Sequence, residues 1–305
     1  MKPPVALTPR IALLLTIPPL LWAGNAVVGR MAVGLVPPVG LNFARWALAF
    51  ALLWPLGRSV FADLGAIRAR WRYLALLGFL GMGCYNTLQY LALHTSTPLN
   101  VTLIAASSPV WMLGIGAVFY GVKPRAQDIW GAALSLLGVA LVIARGEPAR
   151  LLQLHFVAGD VLMLVAIFTW GLYSWLLARP PASMQGEQRP PWNWAELLLV
   201  QCAFGVLWSG LAAGVELGFS DAQWHGSWWV LALLAFVAIG PSLIAYRCWG
   251  LGVATVGPAL AAFFVNLTPL FAAVMSAALL GEAPQWFHAV AFVLIVAGIV
   301  VSSRR

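Results

Sequence analysis

Apolar residues along this chain fall into long uninterrupted runs and do not alternate with polar ones. A run of about 20 apolar residues has the length that spans the hydrocarbon core of a bilayer. Ten such runs are predicted spans: 11–33, 40–57, 73–93, 97–120, 127–144, 157–177, 195–217, 228–250, 255–280 and 286–302. Each run predicts a helix, because a backbone in lipid must satisfy its own hydrogen bonds and barrel strands would alternate.

The prolines and glycines that interrupt or end these runs recur after 160 residues. Between 91–142 and 251–302, nine of 52 positions are identical without a gap. The matched turn residues include Pro109 and Pro269, Gly121 and Gly281, and Pro124 and Pro284. Five spans per half is an odd number, so the second half enters the membrane from the opposite side, as in many secondary transporters. We therefore predict an all-α integral membrane fold of two inverted five-helix repeats, 1–150 and 151–305, with a cytoplasmic linker at 178–194.

Composition and charge agree with this topology. Hydrophobic residues make up 62% of the 305 residues and charged ones 9%, whereas soluble domains carry about 25% charged residues. With a cytoplasmic N-terminus, twelve Lys and Arg side chains fall inside and three outside, which follows the positive-inside rule. The net charge of +8 is thus explained by topology, and no basic patch with interleaved aromatic residues predicts nucleic-acid binding.

Two prolines lie near the middle of their spans. Pro109 and Pro269 are predicted to kink their helices near the bilayer midplane and to free a backbone carbonyl one turn earlier. Transporters bind substrate at such broken helices. Polar residues precede both prolines: Ser107 and Ser108 before the first, Asn266 and Thr268 before the second. They could bind a substrate or form hydrogen bonds with the freed backbone groups, and the sequence leaves both interpretations open.

Aromatic and polar residues recur three or four positions apart, which places them on one helix face. The pairs are Trp22 with Asn25, Tyr85 with Gln89, Trp170 with Tyr173, and Tyr246 with Trp249. Such a face combines a flat apolar platform with a hydrogen-bonding group. Tyr246 and Trp249 have the alternative interpretation of interfacial belt residues. The predicted substrate-binding residues are Trp22, Asn25, Tyr85, Gln89, Trp111, Trp170, Tyr173, Tyr246 and Asn266.

Arg45 and Arg247 are the two cations predicted within helices. A cation at mid-bilayer costs about 2.5–3.5 kcal/mol on insertion scales, so a function or a snorkelling route must offset it. Snorkelling explains either position. The alternative for Arg45 is attraction of a substrate carboxylate at the outer half of the path.

Carboxylates are absent from the middle of every predicted span. Asp160, Glu196, Glu216 and Glu282 lie at span ends or in loops, and so do the four histidines. Because proton relays usually use intramembrane carboxylates or histidines, we expect a facilitator driven by the substrate gradient. Coupling through Glu282, a helix-end histidine or backbone-bound sodium stays open.

The stretches LLWAGNAVVGR, ALHTSTPLNVTLIAASSPVW, DVLMLVAIFTWGLYSW and NLTPLFAAVMSAALLGEAP resemble the drug/metabolite transporter superfamily with paired EamA-type repeats. The resemblance covers nearly the whole chain and is closest to the branch that exports amino acids, aromatic ones in particular. It implies a basket of helices 1, 3, 4, 6, 8 and 9 around a central cavity, with helices 5 and 10 peripheral. The first copy departs from the family pattern in having Val122 where the second has Glu282.

The sequence therefore predicts a multi-pass transporter of a bacterial inner membrane, with both termini cytoplasmic, that exports small metabolites such as amino acids. The alternatives are export of nucleosides or cationic drugs coupled to protons and, more distantly, a structural subunit that does not transport. An enzyme is disfavoured because no paired acids, Cys/His cluster or zinc-protease motif occurs. No cofactor or metal is expected, since Cys84, Cys202 and Cys248 lack ligand spacing.

Overall fold

A computed structural model describes residues 7–32, 34–93, 95–96, 98–219, 223–280 and 285–304. These residues form α-helices joined by short turns and contain no strand, which confirms the predicted all-helical fold for them. The helices are α1 (Pro9–Met31), α2 (Pro38–Gly57), α3 (Leu64–Gly78), α4 (Tyr85–Ala92), α5 (Pro98–Ala106), α6 (Ser108–Tyr120), α7 (Ala126–Ile143), α8 (Ala158–Ala178), α9 (Trp194–Phe219), α10 (Trp228–Val237), α11 (Ala245–Val256), α12 (Pro258–Val265), α13 (Thr268–Leu280) and α14 (Trp286–Ser303).

Seven helical segments among the described residues are long and apolar enough to cross a membrane. They are Pro38–Ala62, Ala126–Ile143, Ala158–Ala178, Trp194–Phe219, Trp228–Val256, Pro258–Met275 and Trp286–Ser303. An eighth results when α5 and α6, which meet at 44°, count as one span. The chain is therefore a multi-pass membrane protein, and the count of ten stays a prediction. The other two predicted spans coincide with α1 and with α3 plus α4, which are helical as well.

Two π-helices interrupt long helical rods. The first, Phe79–Cys84, joins α3 to α4, and the second, Ala238–Ile244, joins α10 to α11. Their last residues lie 160 positions apart, the same offset as the sequence repeat. π-Helices are rare and occur mostly as short bulges that are frequent at functional sites.

The broken helices also recur at that offset. Ser107 separates α5 from α6, while Asn266 and Leu267 separate α12 from α13. Pro109 lies in the first turn of α6, where a proline costs nothing because its missing N–H would have no partner. The first predicted kink is therefore a bend of 44° between two helices, whereas the second is a turn at Asn266 and Leu267 inside a segment, Pro258–Met275, that counts as one span. Gly281, Pro284 and Glu282 of the predicted repeat lie outside the described residues.

Two glycine-lined helices, α7 and α14, cross at matched positions of the repeat. A Cβ on Gly131 would lie 2.7 Å from the carbonyl oxygen of Gly298, and one on Gly138 would lie 2.9 Å from that of Ala291. Gly131 corresponds to Ala291 and Gly138 to Gly298 at the offset of 160. The same contact therefore occurs twice, with the halves exchanged.

Two predicted boundaries were wrong. The span predicted at 73–93 starts earlier, because after a 3₁₀ turn at Arg58–Ala62 the helix α3 begins at Leu64. Asp63 caps this helix by accepting a hydrogen bond from the Ala66 amide at 2.9 Å. The predicted span 228–250 continues to Val256 and ends at Gly257, whose φ of +88° favours glycine.

Side chains of α3 hold the linker at 178–194 in place. Arg70 donates from Nε to the Ser183 carbonyl at 2.8 Å and from Nη2 to the Gln188 carbonyl at 2.6 Å. The linker itself forms two short 3₁₀ turns, Ala182–Met184 and Gly186–Gln188. Elsewhere α2 packs on α9, α4 on α8, and α1 on α11.

Candidate functional site

The interior of the bundle holds a cluster of aromatic rings centred on Trp170 of α8. Five rings have centroids 5.2–5.5 Å from it: Trp22, Tyr85, Tyr173, Tyr246 and Trp249. We call these six residues the aromatic cluster. They come from α1, α4, α8 and α11, so the helical faces that the sequence singled out meet at one place.

Burial distinguishes the members of the aromatic cluster. Tyr246 is 4% exposed and Trp249 is completely buried, so the interfacial-belt interpretation of these two residues is wrong. Trp22 and Tyr85 are half-buried. The cluster thus has a sealed side, formed by α8 and α11, and a more open side, formed by α1 and α4.

Hydrogen bonds fix the rings of the cluster. Trp22 donates from Nε1 to the Pro241 carbonyl at 3.3 Å, and Trp249 donates from Nε1 to Ser174 Oγ at 3.0 Å. The Tyr246 hydroxyl donates to the Gly81 carbonyl. Because Pro241 and Gly81 belong to the two π-helices, both irregular segments are tied to the aromatic cluster.

Arg45 of α2 is buried beside this cluster. Its side chain is 1% exposed, which excludes snorkelling. Nε donates to Ser242 Oγ at 3.0 Å, and Nη1 donates to Asn86 Oδ1 at 3.3 Å and to Tyr90 Oη at 3.4 Å. All three partners are neutral, and the ion pairs found in the described part of the chain lie elsewhere. A buried cation without an acid is costly, because polar groups offset only part of its lost hydration.

The cation and the aromatic cluster are neighbours. Ser242, which binds Arg45, follows Pro241, which binds Trp22. Trp46 lies under the guanidinium at 5.2 Å and packs edge-on against Tyr246 with centroids 4.9 Å apart. The site therefore combines one positive charge with a wall of aromatic rings.

The other predicted site residues are distributed around this centre. Asn25 is 9% exposed, and its Oδ1 has no hydrogen-bond partner. Gln89 is half-buried, one turn along α4 from Tyr85. Trp111 instead packs on Phe168 with centroids 5.9 Å apart. Asn266 donates to Ser135 Oγ of α7 at 2.7 Å, and its Oδ1 is buried without a hydrogen-bond partner.

Two of the polar residues beside the breaks donate hydrogen bonds to nearby backbone carbonyls. Ser107 Oγ donates to the Ile104 carbonyl and Thr268 Oγ1 to the Val265 carbonyl, each at 2.6 Å. These bonds support the interpretation that such side chains pair with carbonyls near the break. Ser107 and Thr268, beside the predicted hinge positions Pro109 and Pro269, are thus occupied, whereas Ser108 Oγ is buried without a hydrogen-bond partner.

Asp160 is a buried acid whose hydrogen-bond partners border an open cavity. It is fully buried in the first turn of α8, where its carboxylate accepts from Ser96 Oγ, Asn100 Nδ2 and the Val157 amide. Asn100 and Val157 also line a cavity of about 600 Å³ whose rim includes Arg150. Along the described chain no three His, Cys, Asp or Glu side chains gather as metal ligands would.

Four polar residues of the site were missed in the sequence: Asn42, Asn86, Tyr90 and Ser242. Asn42 and Arg45 are three positions apart on α2, and Asn86 and Tyr90 are four apart on α4. The spacing rule that found the aromatic pairs would have marked these faces too. Helix 2, absent from the predicted basket, thus contributes the charge of the site.

The fold and the site define a multi-pass membrane protein with a polar and aromatic interior that could hold a small solute. The EamA-like transporter family matches residues 9–144 and again 157–304. The chain belongs to this family of the drug/metabolite transporter superfamily, so it is a membrane transporter.

Relatives along the whole length support this assignment. The chain is 26% identical to a probable terminal-alkyne amino-acid exporter of Streptantibioticus cattleyicolor, over 96% of this chain and 93% of that protein. It is 24% identical to the aromatic amino acid exporter YddG of Ancylobacter novellus, over 93% of each. It is 27% identical to an uncharacterized transporter of Archaeoglobus fulgidus, over 96% and 97%. A solved crystal structure has the same fold, with a TM-score of 0.75 at 22% identity over 96% of both chains.

Proposed function

We propose that this protein is a secondary transporter that exports amino acids, aromatic ones included, by alternating access. The observation that carries the proposal is the buried Arg45, which has only neutral partners and lies beside the aromatic cluster. A carboxylate on the substrate supplies the missing negative charge, and the rings receive an aromatic or aliphatic side chain.

Within this proposal the incompletely buried rings of Trp22 and Tyr85, together with Trp170, form the platform for the side chain. Asn25 offers an unpartnered acceptor one turn from Trp22 and contacts the polar head of the substrate. The names of the two exporters above, both of amino acids, support the same substrate class.

The proposed architecture is two inverted five-helix repeats, 1–150 and 151–305, with the termini and the linker at 178–194 in the cytoplasm of a bacterial cell. Three recurrences at the offset of 160 support it: the π-helices, the helix breaks and the crossed contacts of α7 with α14. Inverted repeats give a transporter two related conformations, each open to one side.

Transport is proposed to follow the substrate gradient. The acids that the structure places within helices, Asp128, Asp160, Glu196 and Glu216, lie in end turns, whereas proton relays usually need carboxylates deep in the membrane. Export of nucleosides or cationic drugs coupled to protons is the competing function, and nothing in the site favours a cationic substrate beside Arg45.

Counterflow into liposomes that contain the purified protein tests the proposal. Vesicles are loaded with one unlabelled solute of a panel of amino acids and nucleosides, and entry of the same labelled solute is followed. We expect counterflow of phenylalanine, tryptophan and smaller amino acids. Counterflow of nucleosides alone would contradict the proposal, and no counterflow of any solute would favour a structural subunit.

A further inference from the structure

Two buried groups on one face of α2 lack hydrogen-bond partners, and a third group on that face, Nη2 of Arg45, is not used by the bonds that hold its side chain. Asn42 Oδ1 and Trp46 Nε1 are buried and unpaired. The bonds of Arg45 to Ser242, Asn86 and Tyr90 leave from Nε and Nη1, which leaves Nη2 available to a ligand. Positions 42, 45 and 46 share a helix face because they are three and four residues apart.

The orientation of the Asn42 amide is fixed by its neighbours. Its Nδ2 donates to the Met82 carbonyl at 3.1 Å and to Thr87 Oγ1 at 3.2 Å. A backbone carbonyl only accepts hydrogen bonds, so the nitrogen must face Met82. The unpaired atom of Asn42 is therefore an acceptor.

These three groups complement a zwitterion. Arg45 and Trp46 offer two donors, one of them charged, which matches the two oxygens of a carboxylate. Asn42 offers an acceptor one turn away, which matches an ammonium group. An ordered water molecule would satisfy Asn42 and Trp46, but it would leave the charge of Arg45 without a counter-ion.

We propose that Asn42, Arg45 and Trp46 together bind the α-ammonium and α-carboxylate groups of the substrate. The proposal rests on the function proposed above and makes it narrower: free α-amino acids are carried, whereas amines and carboxylic acids of the same side chain are not. Since the face is sealed in the present conformation, with each residue at most 1% exposed, it opens to substrate when α2 and α4 separate.

The first test compares wild-type affinities for three matched ligands. Counterflow of labelled phenylalanine in liposomes is inhibited with phenylalanine, with 3-phenylpropionate, which lacks the ammonium, and with phenethylamine, which lacks the carboxylate. We expect each analogue to bind about 10- to 100-fold more weakly, the range for a lost hydrogen bond to a charged group. If either analogue inhibited the wild-type protein as strongly as phenylalanine does, the proposal would be wrong.

The second test separates the two charges. Asn42→Ala should reduce the preference for phenylalanine over 3-phenylpropionate by about 10-fold or more and leave the preference over phenethylamine unchanged. Arg45→Gln should instead reduce the preference for phenylalanine over phenethylamine and leave the preference over 3-phenylpropionate unchanged. Ser209→Ala on the neighbouring α9 is the matched control, because Ser209 is fully buried and bonds only within its own helix.

The outcomes distinguish this inference from the proposed function. Absence of amino-acid counterflow in the wild type would contradict the proposed function itself. Normal counterflow with unchanged preferences in Asn42→Ala would mean that the unpaired groups bind only water, and the proposed function would stand. A drop in yield alone does not alter a ratio of affinities, so a purely structural role of Asn42 gives the same negative result.

Discussion

At the scale of single residues, spacing in the sequence found most of the aromatic cluster. Trp22, Tyr85, Trp170 and Tyr246 were selected because each has a polar or aromatic residue three or four positions later, and all four lie in one cluster. Spacing identifies a helix face but not the face that it meets. Trp111 was predicted as a substrate-binding residue without such a partner, and it packs on Phe168.

The polar half of the site was less predictable than the aromatic half. Snorkelling and substrate attraction were both open for Arg45, because a position along a helix does not reveal whether the side chain reaches water. Burial decides between them, and burial depends on Ser242 and Asn86, which are distant in the chain. The partners of a buried charge are set by tertiary packing, and no local pattern encodes them.

The first prediction concerns Trp170. Trp170→Ala removes the ring at the centre of the aromatic cluster, and aromatic contacts contribute about 0.5–1.5 kcal/mol beyond area burial. We expect the apparent KM for aromatic amino acids to rise several-fold or more and the preference for phenylalanine over threonine to fall. Asn25→Ala should weaken both substrates alike, because it contacts the common polar head.

The control for Trp170 is Trp208→Ala on α9. Trp208 is half-buried, whereas Trp170 is 4% exposed, and its indole N–H donates to the Ala75 carbonyl. It serves as a control because it is a tryptophan of the same bundle that lies outside the aromatic cluster. Transport is measured per folded molecule in liposomes. If Trp170→Ala kept the wild-type preference for phenylalanine, this tryptophan would be ordinary packing.

At the scale of elements, the sequence predicted the breaks better than the irregular helices. Prolines marked both broken helices, because the residue before a proline is disfavoured in the α conformation. The π-helices at Phe79–Cys84 and Ala238–Ile244 had no such mark in the apolar pattern. A π-helix has about one more residue per turn than an α-helix, so it rotates the side chains that follow it. In a run where nearly every residue is apolar, this rotation leaves no visible change in the pattern.

The second prediction concerns the contact of α7 with α14. Gly131→Ala places a methyl group about 2.7 Å from the backbone oxygen of Gly298, which cannot move as a flexible side chain can. Overpacking of this kind costs about 1–3 kcal/mol. We expect a lower unfolding temperature in detergent, measured by tryptophan fluorescence.

Gly114→Ala is the matched control for this substitution. Gly114 also lies within a helix, α6, but a Cβ there meets nothing within 4 Å. Replacing a helical glycine by alanine without a clash stabilises by about 0.5–1 kcal/mol. Equal unfolding temperatures for the two variants would mean that α7 and α14 separate easily.

At the scale of the whole molecule, the repeat in the sequence anticipated features that no single span reveals. An offset of 160 residues relates the helix breaks, the π-helices and the glycine contacts. The predicted orientation in the membrane follows from the distribution of Lys and Arg, twelve on the cytoplasmic side and three outside.

The third prediction tests that orientation. Single cysteines are placed in a variant in which Cys84, Cys202 and Cys248 are replaced by alanine. Arg68→Cys in α3 and Glu187→Cys in the linker should react with a membrane-impermeant maleimide only from the cytoplasm, and Leu152→Cys only from outside, since all three positions are exposed. Labelling of Leu152→Cys and Glu187→Cys from the same side would end the inverted ten-span arrangement.

The last prediction concerns energy coupling. Because carboxylates lie only in end turns of the described helices, amino-acid flux should follow the substrate gradient and should change little when a proton gradient is collapsed at constant pH. The measurement is flux in liposomes with and without an imposed pH difference. Uphill accumulation driven by that difference would show that the transporter is coupled to protons and is not a facilitator.

In that case Asp160 is the first candidate for the coupling residue, because it is buried yet shares Asn100 and Val157 with an open cavity. Asp160→Asn keeps acceptor capacity for part of that network but removes the titratable proton, so it should then abolish accumulation while leaving counterflow intact. Glu282 and His94, which lie outside the described residues, would be replaced next if Asp160→Asn still accumulated substrate.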